Sequence, residues 1–259
     1  MGIVNVTPDS FSGDGTPESG KAISHALAQS SHGADIVDIG AESTRPGHTP
    51  VSEALERARL LPVIRGVRKG LGAHGIISAD TFKPAIFRAA YEAGADILNS
   101  VWGLNDELLA VAVECKVPIA IMHNKAVPIY ERDVVDEVIA FLDEAAARAN
   151  DAGIPPEHII LDPGIGFGKL PDHNLAMLSA LHRLVKLGFP TLVGTSRKST
   201  IGKVTGKGPS ARTYGTAATV ALAVAAGIDI VRVHDVAEMH DVVRMSDAVV
   251  RGWRPEDWT

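Results

Sequence analysis

Short apolar runs alternate along the chain with longer segments in which apolar residues recur at helical spacing. Each run is typical of a buried strand in a parallel sheet, and each longer segment of a helix that covers it. Eight such pairs follow one another without a Pro-, Gly- or Ser-rich linker, and their strands begin near residues 2, 35, 76, 96, 117, 158, 191 and 228. Because eight parallel strands close into a barrel, we expect one (β/α)8 TIM barrel domain over residues 1–259, an α/β fold with its active site at the C-terminal ends of the strands. A doubly wound open sheet is the structural alternative.

Local signals indicate where several helices begin and end. Ser52, with Glu53 and Glu56 after it, predicts a helix start. Pro84 suits the first turn of the next helix, and Gly94 suits its end. Helical spacing predicts two apolar faces: Leu55, Leu60, Val63, Ile64 and Val67 after Ser52, and Leu175, Leu178, Leu181 and Leu184 in the helix after the sixth strand.

The composition, 46% hydrophobic and 22% charged, is that of an ordinary soluble globular protein. A net charge of −6 argues against nucleic acid as a partner, but it is compatible with a local basic pocket for phosphate. The single cysteine, Cys115, cannot form an internal disulfide, which fits a reducing cytoplasm. The longest run of small apolar residues, 217–226, is too short to span a bilayer, so we expect no membrane partner.

Polar residues follow the predicted strands at the point where each strand ends. Each alone has an ordinary interpretation, such as a turn asparagine, a satisfied core histidine or a solvated loop arginine. Buried Asp, Asn and His are unfavourable unless something bonds them, so their regular placement predicts a ligand site. One residue or motif per unit gives Asn5, Thr44-Arg45, Asp80, Asn99, Met122-His123, Asp162, Ser196-Arg197-Lys198 and Arg232-Val233-His234.

The residues of this set form two groups, which suit two different kinds of ligand. Two acids, an amide and a lysine suit a flat, nitrogen-rich heterocycle, because a carboxylate accepts two parallel N–H bonds from a guanidine-like edge. Three potential cations and a neutral oxygen donor suit a phosphate or pyrophosphate, with magnesium as a candidate companion. The first group is Asp80, Asn99, Asp162 and Lys198, and the second is Arg45, Arg232, His234 and Asn5.

Asp162 opens a turn with three glycines, Asp162-Pro163-Gly164-Ile165-Gly166-Phe167-Gly168-Lys169. Glycine lets the backbone approach a flat ligand closely, whereas a plain strand-to-helix turn capped by Asp162 is the alternative. The sequence has no zinc-type Cys/His spacing, no Walker glycine loop and no hydrolase-type nucleophile and base.

Together these motifs resemble the dihydropteroate synthase family. The likeness spans practically the whole chain, in the order of the family's motifs. The motifs are Asn5-Val6-Thr7-Pro8-Asp9-Ser10-Phe11, Glu42-Ser43-Thr44-Arg45-Pro46-Gly47, Asp80-Thr81, the glycine turn at Asp162, Ser196-Arg197-Lys198 and Arg232-Val233-His234-Asp235. The resemblance implies a folate-pathway transferase that joins 4-aminobenzoate to 6-hydroxymethyl-7,8-dihydropterin diphosphate and releases pyrophosphate and dihydropteroate.

The resemblance also implies roles for individual residues. It makes Asn5 the ligand of an Mg²⁺ cofactor. It assigns the pterin to Asp80, Asn99, Asp162 and Lys198, with Arg232 packed on the ring and Met122 beneath it. It assigns the diphosphate to Thr44, Arg45, Arg232 and His234. It assigns the aminobenzoate to Pro46, Phe167, Lys198 and Ser199, with Gly194 also in the substrate site. The implied catalytic residues are Arg45, Asp80, Asp162, Lys198 and His234.

Loops over residues 7–17 and 42–52 are expected to close and exclude water. A homodimer through helix 213–226 and the last helix is also expected from the resemblance. Ser100 stands where the family commonly has an Asp, which is expected to remove one carboxylate from the pterin side. Ser100 and the short stretch before the first strand leave a non-catalytic pterin-binding paralogue as one alternative. A pterin-barrel methyltransferase is the other, although it would not need Ser196-Arg197-Lys198 or the Arg232/His234 pair.

Overall fold

The computed structural model describes residues 1–6, 18–42 and 50–258. Three predicted site residues, Thr44, Arg45 and Pro46, lie outside these ranges. So do residues 7–17, and residues 43–49 of the second loop that is expected to close.

Within the described residues, eight parallel strands alternate with helices, as predicted. The strands are β1 (Gly2–Asn5), β2 (Ile36–Gly40), β3 (Ile76–Asp80), β4 (Ile97–Ser100), β5 (Ile119–Met122), β6 (Ile159–Asp162), β7 (Leu192–Val193) and β8 (Ile230–Val231). Strands β1 to β6 pair in chain order, and β7 pairs with β8. Parallel bridges between Leu161 and Thr191 and between Gly2 and Val233 join the two sheets at both edges. The eight strands therefore form a (β/α)8 barrel, in which single bridges join β6 to the β7 edge and β8 to β1. Strands β7 and β8 are shorter than predicted.

Ten α-helices cover the sheet in the described part of the chain. They are α1 (Glu18–Ser31), α2 (Glu53–Leu71), α3 (Pro84–Ala93), α4 (Asp106–Cys115), α5 (Val134–Asp151), α6 (Pro171–Ser179), α7 (Leu181–Val185), α8 (Ser199–Thr205), α9 (Thr213–Ala225) and α10 (Val236–Val250). The predicted start of α2 and the predicted start and end of α3 are confirmed. The Ser52 side chain accepts a hydrogen bond from the backbone N–H of Leu55, and Gly94 ends α3 in the left-handed conformation, with φ of 114°.

Two predictions about apolar faces are wrong in part. Leu55 is 44% exposed, and the acid one position further on, Glu56, takes the buried place in the first turn of α2. The predicted helix through Leu175 and Leu184 breaks at Ala180, where φ is −109° and ψ is 14°. The Ser179 hydroxyl donates to the carbonyl of Ala176, and such local side-chain bonds compete with helix continuation.

Alternate residues of each strand point into the barrel, and their character changes from bottom to top. The lower layer is an apolar cluster made of Met1, Ile36, Ile97, Ala120, Ile160, Leu192 and Ile230. Two residues further along the same strands come Asp38, Asn99, Met122, Asp162, Gly194 and Arg232. Because side chains alternate with a period of two, these residues stand directly above the apolar layer, at the C-terminal mouth of the barrel. The larger core lies between the sheet and the helices.

Candidate active site

Strand register brings the predicted polar residues together. Asp80 pairs with Asn99 across β3 and β4, and Met122 pairs with Asp162 across β5 and β6. A cleft of about 280 Å³ opens at this mouth. Its lining comprises Asn99, Val101, Met122, Asp162, Ile165, Phe167, Gly194, Lys198 and Arg232. All of these except Val101 and Ile165 are residues that the sequence analysis assigned to substrate.

Arg232 lies at the centre of a buried acidic group. Its Nε atom donates to Asp38 Oδ2 at 2.6 Å, and its Nη2 atom donates to Asp80 Oδ2 at 2.8 Å. Burial alone would lower the pKa of Arg232, but Asp38 and Asp80 raise it further above its already high value. Asp80 thus lies beside Arg232 and is not among the residues that line the described cleft.

Asp38 is the residue that sequence reasoning missed. It is fully buried, and besides Arg232 it accepts hydrogen bonds from the Ser78 hydroxyl at 2.5 Å and from Asn99 Nδ2 at 3.2 Å. Because the amide nitrogen of Asn99 is held by Asp38, the amide oxygen is the atom left to face a ligand. The signal was present in the sequence, since Asp38 follows Ile36 by two positions in an apolar strand and therefore faces the same side.

The two predicted pterin acids are difficult to ionise. Burial raises the pKa of Asp80 well above its ordinary value despite the nearby Arg232 guanidinium, and the Asp38 charge adds to the rise. Burial also raises the pKa of Asp162 to about 6, against the opposing effects of the Gly164 N–H and Lys198. A carboxyl group with a raised pKa that lines a cleft, as Asp162 does, is typical of binding and catalytic sites.

The glycine turn after Asp162 needs its glycines for physical reasons. Asp162 Oδ1 accepts a hydrogen bond from the Gly164 N–H at 2.7 Å. Gly164 has a φ of 68°, and a Cβ atom there would lie 2.0 Å from the carbonyl oxygen of His123. This close packing brings the turn against the cleft, where the Lys198 ammonium lies 3.8 Å from the centre of the Phe167 ring. Phe167 and Lys198 together form one wall of the cleft.

His234 and Arg232 were both expected to supply positive charge to an anion, and the structure shows the surroundings of each. Burial lowers the pKa of His234 to about 4, and the charges of Arg197 and Arg232 add to the effect, so the imidazole is neutral at pH 7. Its Nδ1 atom lies 3.0 Å from the Ser196 hydroxyl, which also accepts the His234 backbone N–H at 3.1 Å. The Arg232 guanidinium stays charged, but it is already paired with two carboxylates, and its role toward an anion stays a prediction.

The remaining described candidates lie near the same mouth. Asn5 is the last residue of β1, and it pairs in register with Gly40 of β2. Ser199 is the exposed first residue of α8, directly after Lys198. In the described part of the chain, no three His, Cys, Asp or Glu side chains form a metal site. An amide oxygen such as that of Asn5 nevertheless fits Mg²⁺, which commonly takes one or two protein ligands and completes its shell with substrate phosphates and water.

Ser100 does not affect the pterin side in the way that was expected. Its hydroxyl donates to the carbonyl of Gly103 at 2.6 Å, and the side chain is buried. Adjacent strand residues face opposite sides, so Ser100 points away from the mouth that Asn99 faces. The described cleft therefore loses no carboxylate through this serine.

A barrel with acids, an amide and a lysine around one cleft at its C-terminal mouth belongs to the class of barrel enzymes that bind a small polar ligand at their strand ends. Comparison with known proteins narrows this class. The chain belongs to the pterin binding enzyme family, whose model matches residues 1–234.

Relatives of this chain at 40–46% identity are dihydropteroate synthases. That of Bacillus subtilis is 46% identical over 236 residues, which cover 90% of this chain and 82% of the relative. The Xanthomonas albilineans dihydropteroate synthase with 4-aminobenzoic acid superposes with a TM-score of 0.93 at 42% identity, over 98% of this chain and 93% of the other. The same enzyme in complex with 7,8-dihydropteroate gives a TM-score of 0.90 at 40% identity, over 98% and 94%. The resemblance found from the motifs is confirmed.

Proposed function

We propose that this chain is a dihydropteroate synthase, which condenses 4-aminobenzoate with (7,8-dihydropterin-6-yl)methyl diphosphate to give 7,8-dihydropteroate and pyrophosphate. The observation that carries the proposal is that Asn99, Asp162 and Lys198 line the same cleft above an apolar floor. The solved relatives with 4-aminobenzoic acid and with 7,8-dihydropteroate support the same substrate class.

In this reaction the amine nitrogen of 4-aminobenzoate attacks the methylene carbon of the pterin substrate. A C–N bond forms, the C–O bond to the diphosphate breaks, and pyrophosphate leaves with the bonding electron pair. The amine nitrogen then loses one proton to solvent or to the departing pyrophosphate. Because the amine lone pair is free at pH 7, we assign no general base.

The acids of the cleft suit the pterin. In its ionised form Asp162 accepts N–H bonds from the guanidine-like edge of the ring and stabilises the positive charge that develops as the C–O bond breaks. Asn99, oriented by Asp38, supplies an amide oxygen beside it. Asp80 is proposed to act with them through its contact with Arg232, whose guanidinium plane is suited to stacking on the pterin ring.

The diphosphate is assigned to the side of the mouth near β8 and β1. Neutral His234 would serve there as a hydrogen-bond partner, and Thr44 and Arg45, which lie outside the described residues, keep their assignment as predictions. Asn5 is the proposed ligand for Mg²⁺, which, when bound with the substrate, would neutralise charge on the diphosphate. The aminobenzoate is assigned to the wall of Phe167, Lys198 and Ser199, with Pro46 as a further prediction.

The direct test is pyrophosphate release by the purified protein with both substrates and magnesium. Release that requires 4-aminobenzoate supports the proposal, and the Asp162→Asn variant serves as the control for background hydrolysis. Pterin binding without release would favour the non-catalytic paralogue, an alternative that is weakened because Ser100 faces away from the cleft. Methyl transfer from a methylfolate to a corrinoid, without pyrophosphate release, would favour the methyltransferase.

We also propose a homodimer through α9 and α10. These helices pack side by side and carry exposed apolar residues, including Tyr214, Leu222, Met245 and Val249, which are 90%, 61%, 65% and 72% exposed. Apolar surface of this extent on adjacent helices is typical of an interface. Light scattering at micromolar concentration should give twice the monomer mass of 27.2 kDa, and a monomer mass would contradict the dimer.

The cytoplasm stays our proposed location, supported by the single cysteine, Cys115, which is buried at the end of α4. No helix in the described ranges is long and apolar enough to cross a membrane. Nucleic acid is not proposed as a partner, because the net charge is −6.

A further inference from the structure

Lys169, the last residue of the glycine turn, has a set of contacts that the proposed reaction does not use. Its Nζ atom lies 2.9 Å from His123 Nδ1 and donates to the carbonyl oxygens of Gly164 and Phe167 at 3.1 and 3.2 Å. These partners belong to the turn itself and to the end of β5. Lys169 is not among the residues that line the described cleft. The lysine therefore ties the back of the turn to the neighbouring strand end.

The His123 side chain is buried and held in place beside this lysine. It is 2% exposed, and its ring lies 6.2 Å from the Tyr130 ring and meets the edge of Phe141 at 5.0 Å. Burial lowers the pKa of His123 to about 3, with Lys169 adding to the effect, so the ring is neutral. When Lys169 Nζ donates to His123 as it does to the two carbonyl oxygens, Nδ1 of His123 accepts and the ring proton lies on Nε2.

Further bonds hold the same turn from its other sides. The Tyr130 hydroxyl donates to the carbonyl of Gly168 at 2.8 Å, and Asn174 Oδ1 accepts the Gly166 N–H at 2.6 Å. Between these two anchors stands Phe167, whose carbonyl is held by Lys169 and whose ring lies against Lys198. The position of the Phe167–Lys198 wall thus depends on bonds made behind it.

We propose that Lys169 and His123 are a pair of positioning residues, which fix the Phe167–Lys198 wall and so set the affinity for the aryl amine. The inference rests on the proposed function, since it assigns this wall to 4-aminobenzoate. Burial lowers the pKa of Lys169 to about 7, against the attraction of Asp162, which places the ammonium in a site that its own partners must stabilise. Neither residue touches the reacting atoms.

The test is steady-state kinetics of Lys169→Met with each substrate varied in turn. Loss of bonds worth roughly 1.4 kcal/mol corresponds to a roughly tenfold rise in KM for 4-aminobenzoate, with KM for the pterin diphosphate within about twofold of the wild type. The control is Arg183→Met, because Arg183 bonds to Asp136 at 2.7 Å, between α7 and α5 and outside the turn. We expect its two KM values to stay within about twofold of the wild type.

Variants of His123 provide a second test of the same proposal. His123→Phe keeps the ring but removes the acceptor, and should reproduce the rise in KM for 4-aminobenzoate. His123→Asn places an amide oxygen near the position of Nδ1 and should restore much of the affinity. Equal rises in both KM values, or no change in either, would overturn the proposal while leaving wild-type activity as evidence for the function.

Hydrogen exchange needs no turnover, so it tests the positioning role of Lys169 separately from the proposed function. Hydrogen exchange should be faster in Lys169→Met for the amides of residues 164–168 and unchanged elsewhere in the barrel, because the turn has lost its anchor. This result would stand even if the wild type released no pyrophosphate, which would count against the proposed function alone. Unchanged exchange in residues 164–168 would overturn the positioning role.

Discussion

Two buried charge clusters among the described residues lie near β2 and β3, and they are built differently. The first, here called the loop-base cluster, consists of Glu42, Glu56 and Lys83. Lys83 Nζ donates to Glu42 Oε2 at 2.5 Å and to Glu56 Oε2 at 2.7 Å. The other carboxylate oxygens accept from the backbone N–H of Val51 and from the Thr81 hydroxyl. All four oxygens are thus satisfied by the protein itself.

The second, here called the cleft cluster, consists of Asp38, Asp80, Asp162 and Arg232. Its acids outnumber its one arginine, and Asp162 and Arg232 border the cleft. Burial raises the pKa of Asp80 and of Asp162, whereas hydrogen bonds to Glu42 and Glu56 raise the pKa of Lys83 although its burial acts in the opposite direction. The loop-base cluster stabilises the charged form of Lys83 and serves the fold. The cleft cluster instead holds a carboxyl group, that of Asp162, which lines the cleft, where a ligand can bond to it.

The largest expected effect comes from opening the loop-base cluster. Lys83→Met leaves Glu42 and Glu56 buried without their cation, and removal of one partner from a buried ion network typically costs about 3–5 kcal/mol. Urea unfolding at pH 7 should show this loss in the free energy of unfolding. A change no larger than that of an exposed ion pair would contradict the structural role of the cluster.

Asp162→Asn should instead affect activity more than stability. An amide in place of the carboxylate removes the charged acceptor for the pterin edge, and hydrogen bonds to charged groups are worth about 1.5–3 kcal/mol each, so we expect a roughly 100-fold fall in kcat/KM. Because a buried ionisable acid is removed, the melting temperature should not fall. A variant that loses both activity and several degrees in Tm would indicate a structural role for Asp162.

Asp38→Asn tests the residue that organises the cleft cluster from behind. The substitution keeps the shape of the side chain but weakens its hold on Arg232 and leaves its amide group facing that of Asn99. We expect affinity for the pterin diphosphate to weaken roughly tenfold, as for the loss of one modest hydrogen bond. Calorimetric titration measures this, and an unchanged affinity would show that Asn99 needs no such support.

The pH dependence of pterin binding should follow the ionisation of the same acids. Since burial raises the pKa of Asp162 to about 6, the carboxylate is mostly ionised at pH 7 and mostly protonated at pH 5. Affinity should therefore fall about tenfold from pH 7 to pH 5. In Asp162→Asn this part of the dependence should vanish. An affinity that rose on acidification would contradict the acceptor role.

The smallest effect is expected at the surface. Arg88 and Glu114 form an exposed ion pair between α3 and α4, and exposed pairs contribute little to stability. Arg88→Met should leave both the Tm and the turnover unchanged, which makes it the reference for the Lys83→Met measurement. A clear loss of stability would mean that exposure is a poor guide to the contribution of ion pairs in this protein.

Much of this arrangement could be predicted from the sequence, because strands, caps and strand-end residues depend on local patterns. The period of the apolar runs indicated all eight strands, and Ser52 and Gly94 marked helix ends through local backbone chemistry. What was missed depends on contacts between distant segments. Asp38 looks like one polar residue in a strand until Asn99 and Arg232 are seen to meet it.

The charge state of the site also could not be predicted from the sequence. The residue type of His234 suggests a possible cation, and only the structure shows that burial, with the charges of Arg197 and Arg232, lowers its pKa to about 4 and keeps it neutral even in mild acid. The break at Ala180 has no strong signal in the sequence either, because alanine favours helix and the interruption arises from local bonding in three dimensions.

The central claim is that the cleft cluster binds the edge of a pterin. The most direct measurement is a crystal structure of the protein soaked with the pterin diphosphate. We predict that the Asp162 carboxylate accepts two parallel N–H bonds of about 2.9 Å from the ring edge, with the Arg232 guanidinium against the ring face. A pterin bound outside the cleft, or one whose ring edge does not reach Asp162, would contradict the account.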